Sequence, residues 1–205
     1  MGKEGMVCSR GVALTATCAA LYCIGSLLTA YIPTGFIIQL RPAVVIPAVF
    51  AVLFGSWVGG LGAAIGTFIA SIVRYGTPLL TIFSGTPANF ACFFLLGYIT
   101  WRLSRRWHWT VGYLFGNLVG YLMGSVIIAM GLYALALLTL GGVIAGPAWL
   151  SKWLNPFVMF VGTLIVGFLL EFLTSYLVGL PIILAVLRAL PQVPFARYAK
   201  RERKE

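Results

Sequence analysis

The chain has 205 residues, of which 61% are hydrophobic and 9% are charged, with 14 Lys and Arg residues against 4 Asp and Glu residues. So little charge cannot cover a water-soluble domain of this length, which excludes that class and indicates a protein that crosses the cell membrane several times. Nucleic-acid binding is excluded as well, because the net charge of +10 does not sit on a solvated basic domain.

Six apolar runs are long enough to cross a hydrocarbon core about 30 Å thick. We predict an all-α membrane bundle with six transmembrane helices at residues 10–31, 42–57, 58–73, 86–103, 110–133 and 154–177. This single domain covers residues 1–190, and a basic cytoplasmic tail follows at residues 191–205. Two further apolar segments are predicted not to cross: residues 134–150 form an embedded outer loop, and residues 181–190 form a helix at the cytoplasmic edge.

The stretch from Pro42 to Val73 carries no charge and could be one helix or two. One helix would be about 48 Å long, too long without strong tilt, and GSWVGG supplies a turn in its centre. With six spans and cytoplasmic termini, eleven basic residues lie inside and three outside, whereas five spans with an external N-terminus give ten against four. Both agree with the positive-inside rule, so span length decides for six.

Small residues recur at four-residue intervals in two spans. In GYLFGNLVGYLMG of the fifth span, Gly112, Gly116, Gly120 and Gly124 fall close to one helix face, which indicates internal helix packing. In TATCAALYC of the first span, the A-x-x-x-A pair is formed by Ala16 and Ala20. Such a seam either packs internally or docks a partner subunit.

Catalytic and metal-binding patterns are missing from the sequence. The only histidine, His108, lies in the basic RLSRRWHW loop, and no G-x-S-x-G, H-E-x-x-H or phosphate-binding P-loop occurs. We therefore predict no enzymatic activity, no catalytic residue, no metal site and no cofactor.

Glu171 is the only acidic residue in a predicted span, and we place it near the cytoplasmic side. An intramembrane carboxylate suggests proton coupling or a partner contact. The alternative, which we favour, is an interfacial pair with one of three basic residues: Arg102, Arg105 or Arg106.

The three external cations are Arg41, Arg74 and Lys152, and the loops that hold them contain no acid. They would attract a ligand with a carboxylate or phosphate, or else contact lipid headgroups, as we expect for Arg74. In FIIQLRPAVV, Pro42 starts the second span, so we expect Arg41 at the outer mouth, half solvated. Aromatic and polar residues near these cations could hold a small ring: Tyr31, Gln39, Ser84, Thr86, Asn89, Trp149, Trp153 and Asn155. Asn89 and Asn117 would make either a ligand contact or an interhelical hydrogen bond.

Several segments together resemble the S component, the substrate-binding membrane subunit, of energy-coupling factor (ECF) vitamin transporters. They are the A-x-x-x-A first span, RPAVVIPAVFAVLFGSWVGGLGAAIGTFIAS with its LFG-x-x-x-G element at Leu53–Gly59, and SGTPANFACFFLLGYI; the similarity runs over most of residues 10–190. The resemblance implies a six-helix binding protein that works with a transmembrane coupling subunit and two cytoplasmic ATPases, which use the ATP.

The resemblance also implies roles for particular residues. Ala16 and Ala20 would contact the coupling subunit. The ligand pocket would include residues of the first external loop, the fourth span, the loop before the sixth span and the start of that span: Gln39, Arg41, Thr86, Asn89, Trp149, Lys152, Trp153 and Asn155. The predicted function is the capture of a vitamin or related anionic micronutrient, and the alternative is an ion-coupled secondary transporter that uses Glu171. The sequence does not name the vitamin.

Overall fold

The computed structural model describes residues 9–29, 41–140 and 155–196. Within these ranges all regular elements are helices, and four of them are long and apolar enough to cross a membrane. A helix satisfies its backbone hydrogen bonds internally, which is the condition for lying in lipid. The chain is therefore an all-helical bundle whose composition suits a membrane.

The elements follow one another in this order: α1 (Ser9–Thr29), a 3-10 turn (Pro42–Val44), α2 (Val45–Phe54), α3 (Ser56–Tyr75), α4 (Leu79–Ile82), α5 (Gly85–Leu103), α6 (Trp109–Leu140) and α7 (Pro156–Ala189). The four long apolar helices are α1, α3, α6 and α7. Each of the six predicted spans coincides with a helix. However, α2 is shorter than a full crossing and α5 is not among the four, so six crossings remain a prediction.

The bundle has two ends that we name by a residue at each. At the Trp109 end, Gly97 of α5 packs against Ser56 at the start of α3. At the Arg74 end, Gly131 of α6 packs against Ser84, just before α5 begins. Helices α1 and α3 run in parallel from the Trp109 end, because Gly62 contacts Cys18 and Gly66 contacts Ala19, Tyr22 and Cys23 in the same order.

The predicted break inside GSWVGG occurs at Gly55. This residue has φ 124°, a conformation that side chains other than glycine rarely adopt, so the chain can reverse between α2 and α3 without a longer loop. A Cβ atom on Gly59 would overlap Ala51, which shows how closely the two helices approach. The boundary lies a few residues before the predicted one at Trp57.

Helices α6 and α7 are longer than predicted. With 32 and 34 residues they measure about 48 and 51 Å, more than a hydrocarbon core of about 30 Å. Residues 134–140, predicted as part of an embedded loop, continue α6, and residues 141–150 lie outside the described ranges. The separate edge helix at 181–190 is wrong: α7 continues through Pro181, because fully buried Ile183 keeps this segment packed on the bundle.

The glycine seam of the fifth span packs internally, as predicted. A Cβ atom on Gly116 would lie 2.6 Å from the Leu96 oxygen, and one on Gly120 would lie 2.6 Å from the Cys92 oxygen. Only glycine allows the backbones of α5 and α6 to approach this closely. The A-x-x-x-A pair of α1 differs, because Ala16 and Ala20 are both exposed on the outside of the bundle.

The first residues of the predicted tail belong to the folded bundle. Phe195 is fully buried, with ring centroids 5.6 Å from Trp101 and 6.2 Å from Trp109. Val193 and Ala196 are buried beside it. The folded part of the chain therefore extends past the predicted boundary at residue 190.

Candidate functional site

A polar cavity lies between α1, α3 and α4 at the Arg74 end of the bundle. Its volume is about 30 Å³, enough for one or two groups the size of a water molecule. Two of its lining residues carry positive charge and none is acidic. The lining consists of Ser26, Leu27, Arg41, Thr67, Ala70, Ser71, Arg74, Tyr75 and Thr81. The cavity therefore suits an anionic or hydrogen-bond-accepting group.

Two hydroxyl groups of the cavity have no hydrogen bond to any described residue, those of Ser26 and Thr67. Both residues are almost completely buried, with 8% and 5% of their surface exposed. The Thr67 hydroxyl lies near the Tyr22 phenol but without hydrogen-bond geometry. Leaving a buried hydroxyl unpaired costs about 1–3 kcal/mol, so these two groups are well placed to bind a ligand.

The part of the cavity wall between α3 and α4 is held by hydrogen bonds within the protein. Thr81 Oγ1 donates to Ser71 Oγ at 2.6 Å, and Ser71 Oγ donates to the Phe68 carbonyl at 2.8 Å. These bonds tie the short helix α4 to α3. This part of the wall is thereby held in place, while the hydroxyls of Ser26 and Thr67 remain available to a ligand.

Arg41 lines the cavity and is partly buried. The residues that follow it enter the core at once, since Val44 and Val45 are only 1% and 5% exposed. A Cβ atom on Gly25 of α1 would lie 3.0 Å from Ala43 Cβ. Arg41 therefore lies directly before the buried start of α2, at the edge of the cavity.

Arg74 lines the same cavity from the last turn of α3. Its guanidinium carbon lies 5.1 Å from the centroid of the Tyr75 ring. Gly76, at φ 71°, ends the helix directly afterwards. The structure therefore brings Arg41 and Arg74 to one cavity, although we had expected Arg74 to contact lipid headgroups.

Asn89 lies deeper in the bundle and links two helices. Its Oδ1 accepts a hydrogen bond from the Tyr22 phenol at 3.1 Å, and its Nδ2 donates to the Gly85 carbonyl at 2.8 Å. Of the two roles predicted for this residue, the interhelical hydrogen bond is the one that the structure contains. Nearby, Thr86 is partly exposed, but its Oγ1 is buried and has no partner among the described residues.

Asn117 also makes an interhelical hydrogen bond. Ser175 Oγ donates to Asn117 Oδ1 at 2.7 Å, Asn117 Nδ2 donates to the Tyr113 carbonyl at 2.8 Å, and the Tyr113 phenol donates to the Ser175 carbonyl at 2.9 Å. This closed circuit joins α6 to α7. Its polar atoms are occupied, so it stabilises the bundle and offers little to a ligand.

Glu171 does not pair with the basic residues at the Trp109 end. Along α7 it lies about 22 Å from Pro156 and about 27 Å from Ala189, which is the middle of the helix. The basic group that acts on its carboxylate electrostatically is Arg41. The predicted pair with Arg102, Arg105 or Arg106 is therefore wrong, because α7 extends much further past Glu171 than we predicted.

Five predicted site residues lie outside the described ranges: Tyr31, Gln39, Trp149, Lys152 and Trp153. Asn155 caps the N-terminus of α7: its Oδ1 accepts hydrogen bonds from the backbone nitrogens of Phe157 at 3.0 Å and Val158 at 3.4 Å. This residue is exposed. Its side chain thus has a local structural role.

Sequence inspection missed Tyr22, Ser26 and Thr67, although their spacing carried a signal. Tyr22 and Ser26 are four residues apart on α1. Thr67, Ser71 and Arg74 follow the i, i+4, i+7 pattern of one helix face. A polar stripe on each of two apolar helices indicates that the stripes face one another or a common space.

Among the described residues, no group of three or more His, Cys, Asp or Glu side chains could hold a metal ion. No protein-family model, curated protein or solved structure matches the chain. The function must therefore be argued from the cavity and the helix faces themselves.

Proposed function

We propose that the chain is the membrane-embedded binding subunit of an importer, and that it captures a small anionic micronutrient at the Arg74 end. One observation carries the proposal: the cavity joins the Arg41 and Arg74 side chains to the unpaired hydroxyls of Ser26 and Thr67. Carboxylate and phosphate oxygens accept hydrogen bonds from both kinds of donor. Such charge-assisted bonds are about twice as strong as neutral ones.

The size of the cavity indicates which part of the ligand it would hold. A volume of about 30 Å³ accepts an acidic group but not a whole vitamin ring. The remainder of the ligand would lie outside this cavity. The described basic residues Arg10, Arg102, Arg105, Arg106 and Arg188 belong to the opposite end, which by the positive-inside rule is cytoplasmic. The cavity would then open to the outside.

The exposed small-residue face of α1 supports a role as one subunit of a larger assembly. Ala16 and Ala20 face outward, whereas the glycines of α6 are already packed against α5. Small residues let a second helix approach closely in lipid. We propose that this face docks the transmembrane coupling subunit of an ECF-type importer, whose two ATPases supply the energy, and that this chain itself catalyses no reaction.

The proposal is tested by ligand binding to Arg41→Ala. We expect a vitamin screen by thermal shift on the purified chain to find an acidic ligand, and Arg41→Ala to weaken its binding about 10- to 100-fold, the value of a hydrogen bond to a charged group. Arg105→Ala is the matched control, because Arg105 is exposed at the Trp109 end. Equal affinity in both variants, or no stabilisation by any acidic compound, would refute the proposal.

A second candidate function, ion-coupled secondary transport, is favoured by the position of Glu171 in the middle of α7 on a buried helix face. Reconstituted vesicles separate the two candidates. Uptake by the chain alone that follows a proton or sodium gradient supports secondary transport, whereas uptake that requires ATP and the coupling subunit supports the binding-subunit proposal.

A further inference from the structure

Glu171 faces the interior of the bundle. Thr163, Gly167, Ser175 and Gly179 share its face of α7 at four-residue intervals, and all four are buried. The opposite face carries side chains that are 47–65% exposed: Ile165, Leu169, Leu173 and Leu177. Glu171 therefore points away from lipid and toward the helices on which α7 packs, α6 and α2.

The register of α7 on α6 shows what lies opposite Glu171, a partly exposed residue. Ser175 of α7 hydrogen-bonds Asn117 of α6, and the two helices run antiparallel. One turn back along α7 and one turn forward along α6 therefore bring Glu171 and Tyr121 opposite one another.

Glu171 has no hydrogen bond and no ion pair with the residues that the structure describes. A charged group in the middle of a membrane helix costs about 2.5–3.5 kcal/mol unless it finds a partner. Arg41 acts on the carboxylate electrostatically, but the two side chains do not form a direct ion pair. The Glu171 carboxylate is thus left without a direct partner among the described residues.

Further polar groups lie near Glu171. The Tyr121 phenol of α6 is 1% exposed and has no hydrogen bond within the described ranges. It lies near Ser175, whose hydroxyl is already donated to Asn117. Glu171 acts electrostatically on Tyr121 and also on Tyr22. A buried, unpaired phenol beside an unpaired carboxylate indicates a site that is completed by a ligand.

We propose that Glu171 is the second anchor of the ligand site, and that it binds a protonated amine or another N–H donor of a ligand whose acidic group is held by Arg41. This inference rests on the proposed binding function and narrows the ligand class from anions to small zwitterions. Tyr121 would accept or donate a further hydrogen bond at the Glu171 side.

The charges explain why a zwitterion fits better than a simple acid. A simple acid would neutralise Arg41 and leave the Glu171 carboxylate in the membrane interior without a partner. A molecule with a carboxylate at one end and an amine at the other satisfies both groups in one orientation. The two anchors would therefore select both charge and direction.

The test compares matched probes on the full chain in detergent. The zwitterions are β-alanine, γ-aminobutyrate and ε-aminocaproate, which differ in the distance between their charges, and their partners without the amine are propionate, butyrate and caproate. We expect at least one zwitterion to bind about 10-fold tighter than its partner acid, as one charged hydrogen bond predicts. In Glu171→Gln this ratio should fall to about one, while Arg41→Ala should weaken both classes.

Each other outcome has a distinct meaning. If the acids bind through Arg41 but the zwitterions bind no tighter, the Glu171 inference is overturned and the binding function stands. If Glu171→Gln weakens both classes equally, the inference is also overturned, in favour of a conformational or ion-coupling role. If no probe binds, the Glu171 inference is overturned, and the vitamin screen then decides on the proposed function. If Glu171→Gln does not fold, the inference is decided by the ratio of zwitterion to acid affinity in the wild type and in Glu171→Asp.

Discussion

Ser26 and Thr67 differ from the other hydroxyl residues of these helices. Thr15 and Thr29 of α1 donate to the carbonyl four residues earlier, at 2.9 and 2.8 Å, as isolated hydroxyls in lipid commonly do. Ser26 and Thr67 make no such bond. Their hydroxyls are therefore a cost to the empty protein, which a bound oxyanion would remove.

Ser26→Ala and Ser175→Ala form a matched pair that tests this difference. Ser26→Ala removes an unpaired hydroxyl, so we expect an unchanged melting temperature without ligand and about 3- to 10-fold weaker binding, the value of one neutral hydrogen bond. Ser175→Ala leaves Asn117 Oδ1 without its donor. Ser175→Ala should lower the free energy of unfolding by about 1 kcal/mol and the melting temperature by about 2–4 °C, without changing the affinity for ligand. If Ser26→Ala instead lowered the melting temperature and left the affinity unchanged, Ser26 would have a structural role.

At the scale of the helix, α5 and α6 form the most closely packed pair described. The glycines of α6 place backbone against backbone, so the pair has no side-chain layer that could adjust to a larger residue. This rigid pair carries Asn89 on α5 and Tyr121 on α6. It therefore gives the site a fixed side, against which the start of the α2 segment, α3 and α7 position the charged groups.

Gly120→Ala tests the rigidity of this pair. The added Cβ atom would lie 2.6 Å from the Cys92 oxygen, which forces the backbones apart, and we expect a loss of about 1–3 kcal/mol in thermal denaturation. Gly11→Ala is the control, because a Cβ atom there meets nothing within 4 Å. Equal stability of the two variants would show that α5 and α6 can separate without penalty.

At the scale of the whole molecule, the exposed faces fall into two kinds. The outward face of α7 is built from large aliphatic residues, whereas the outward face of α1 includes Ala16 and Ala20. Large side chains suit fluid lipid chains, and small ones suit a second helix. If the chain is a binding subunit as proposed, the α1 side would contact the partner and the α7 side would contact lipid.

Ala16→Trp tests the partner face, with Leu173→Trp on the lipid-facing side of α7 as its control. Both variants should fold and bind ligand as the wild type does. Only Ala16→Trp should lose co-purification with the coupling subunit, because the larger ring prevents close helix approach. Unchanged co-purification of Ala16→Trp would contradict the assignment of this face to the partner.

Local features of the sequence predicted much of this architecture. The apolar runs located the helices, Gly55 marked the α2–α3 turn, and the four-residue glycine repeat indicated internal packing. These features depend on residues close together in the chain. The shared cavity of Arg41 and Arg74 was missed because it depends on how α1, α3 and α4 pack together. The electrostatic interaction of Glu171 with Arg41 was missed because these residues are far apart in sequence. The continuation of α7 through Pro181 was missed because proline on its own favours the end of a helix.

The stripe of small residues beside Glu171 has a consequence for the evolution of ligand preference. Two of these residues hold α7 against α6: Ser175 hydrogen-bonds Asn117, and a Cβ atom on Gly179 would overlap the Tyr113 phenol. Enlarging either one would push the two helices apart and move Glu171 away from the rest of the site. A change of ligand preference at Glu171 would therefore have to keep these positions small, so evolution would alter the ligand through other residues of the site.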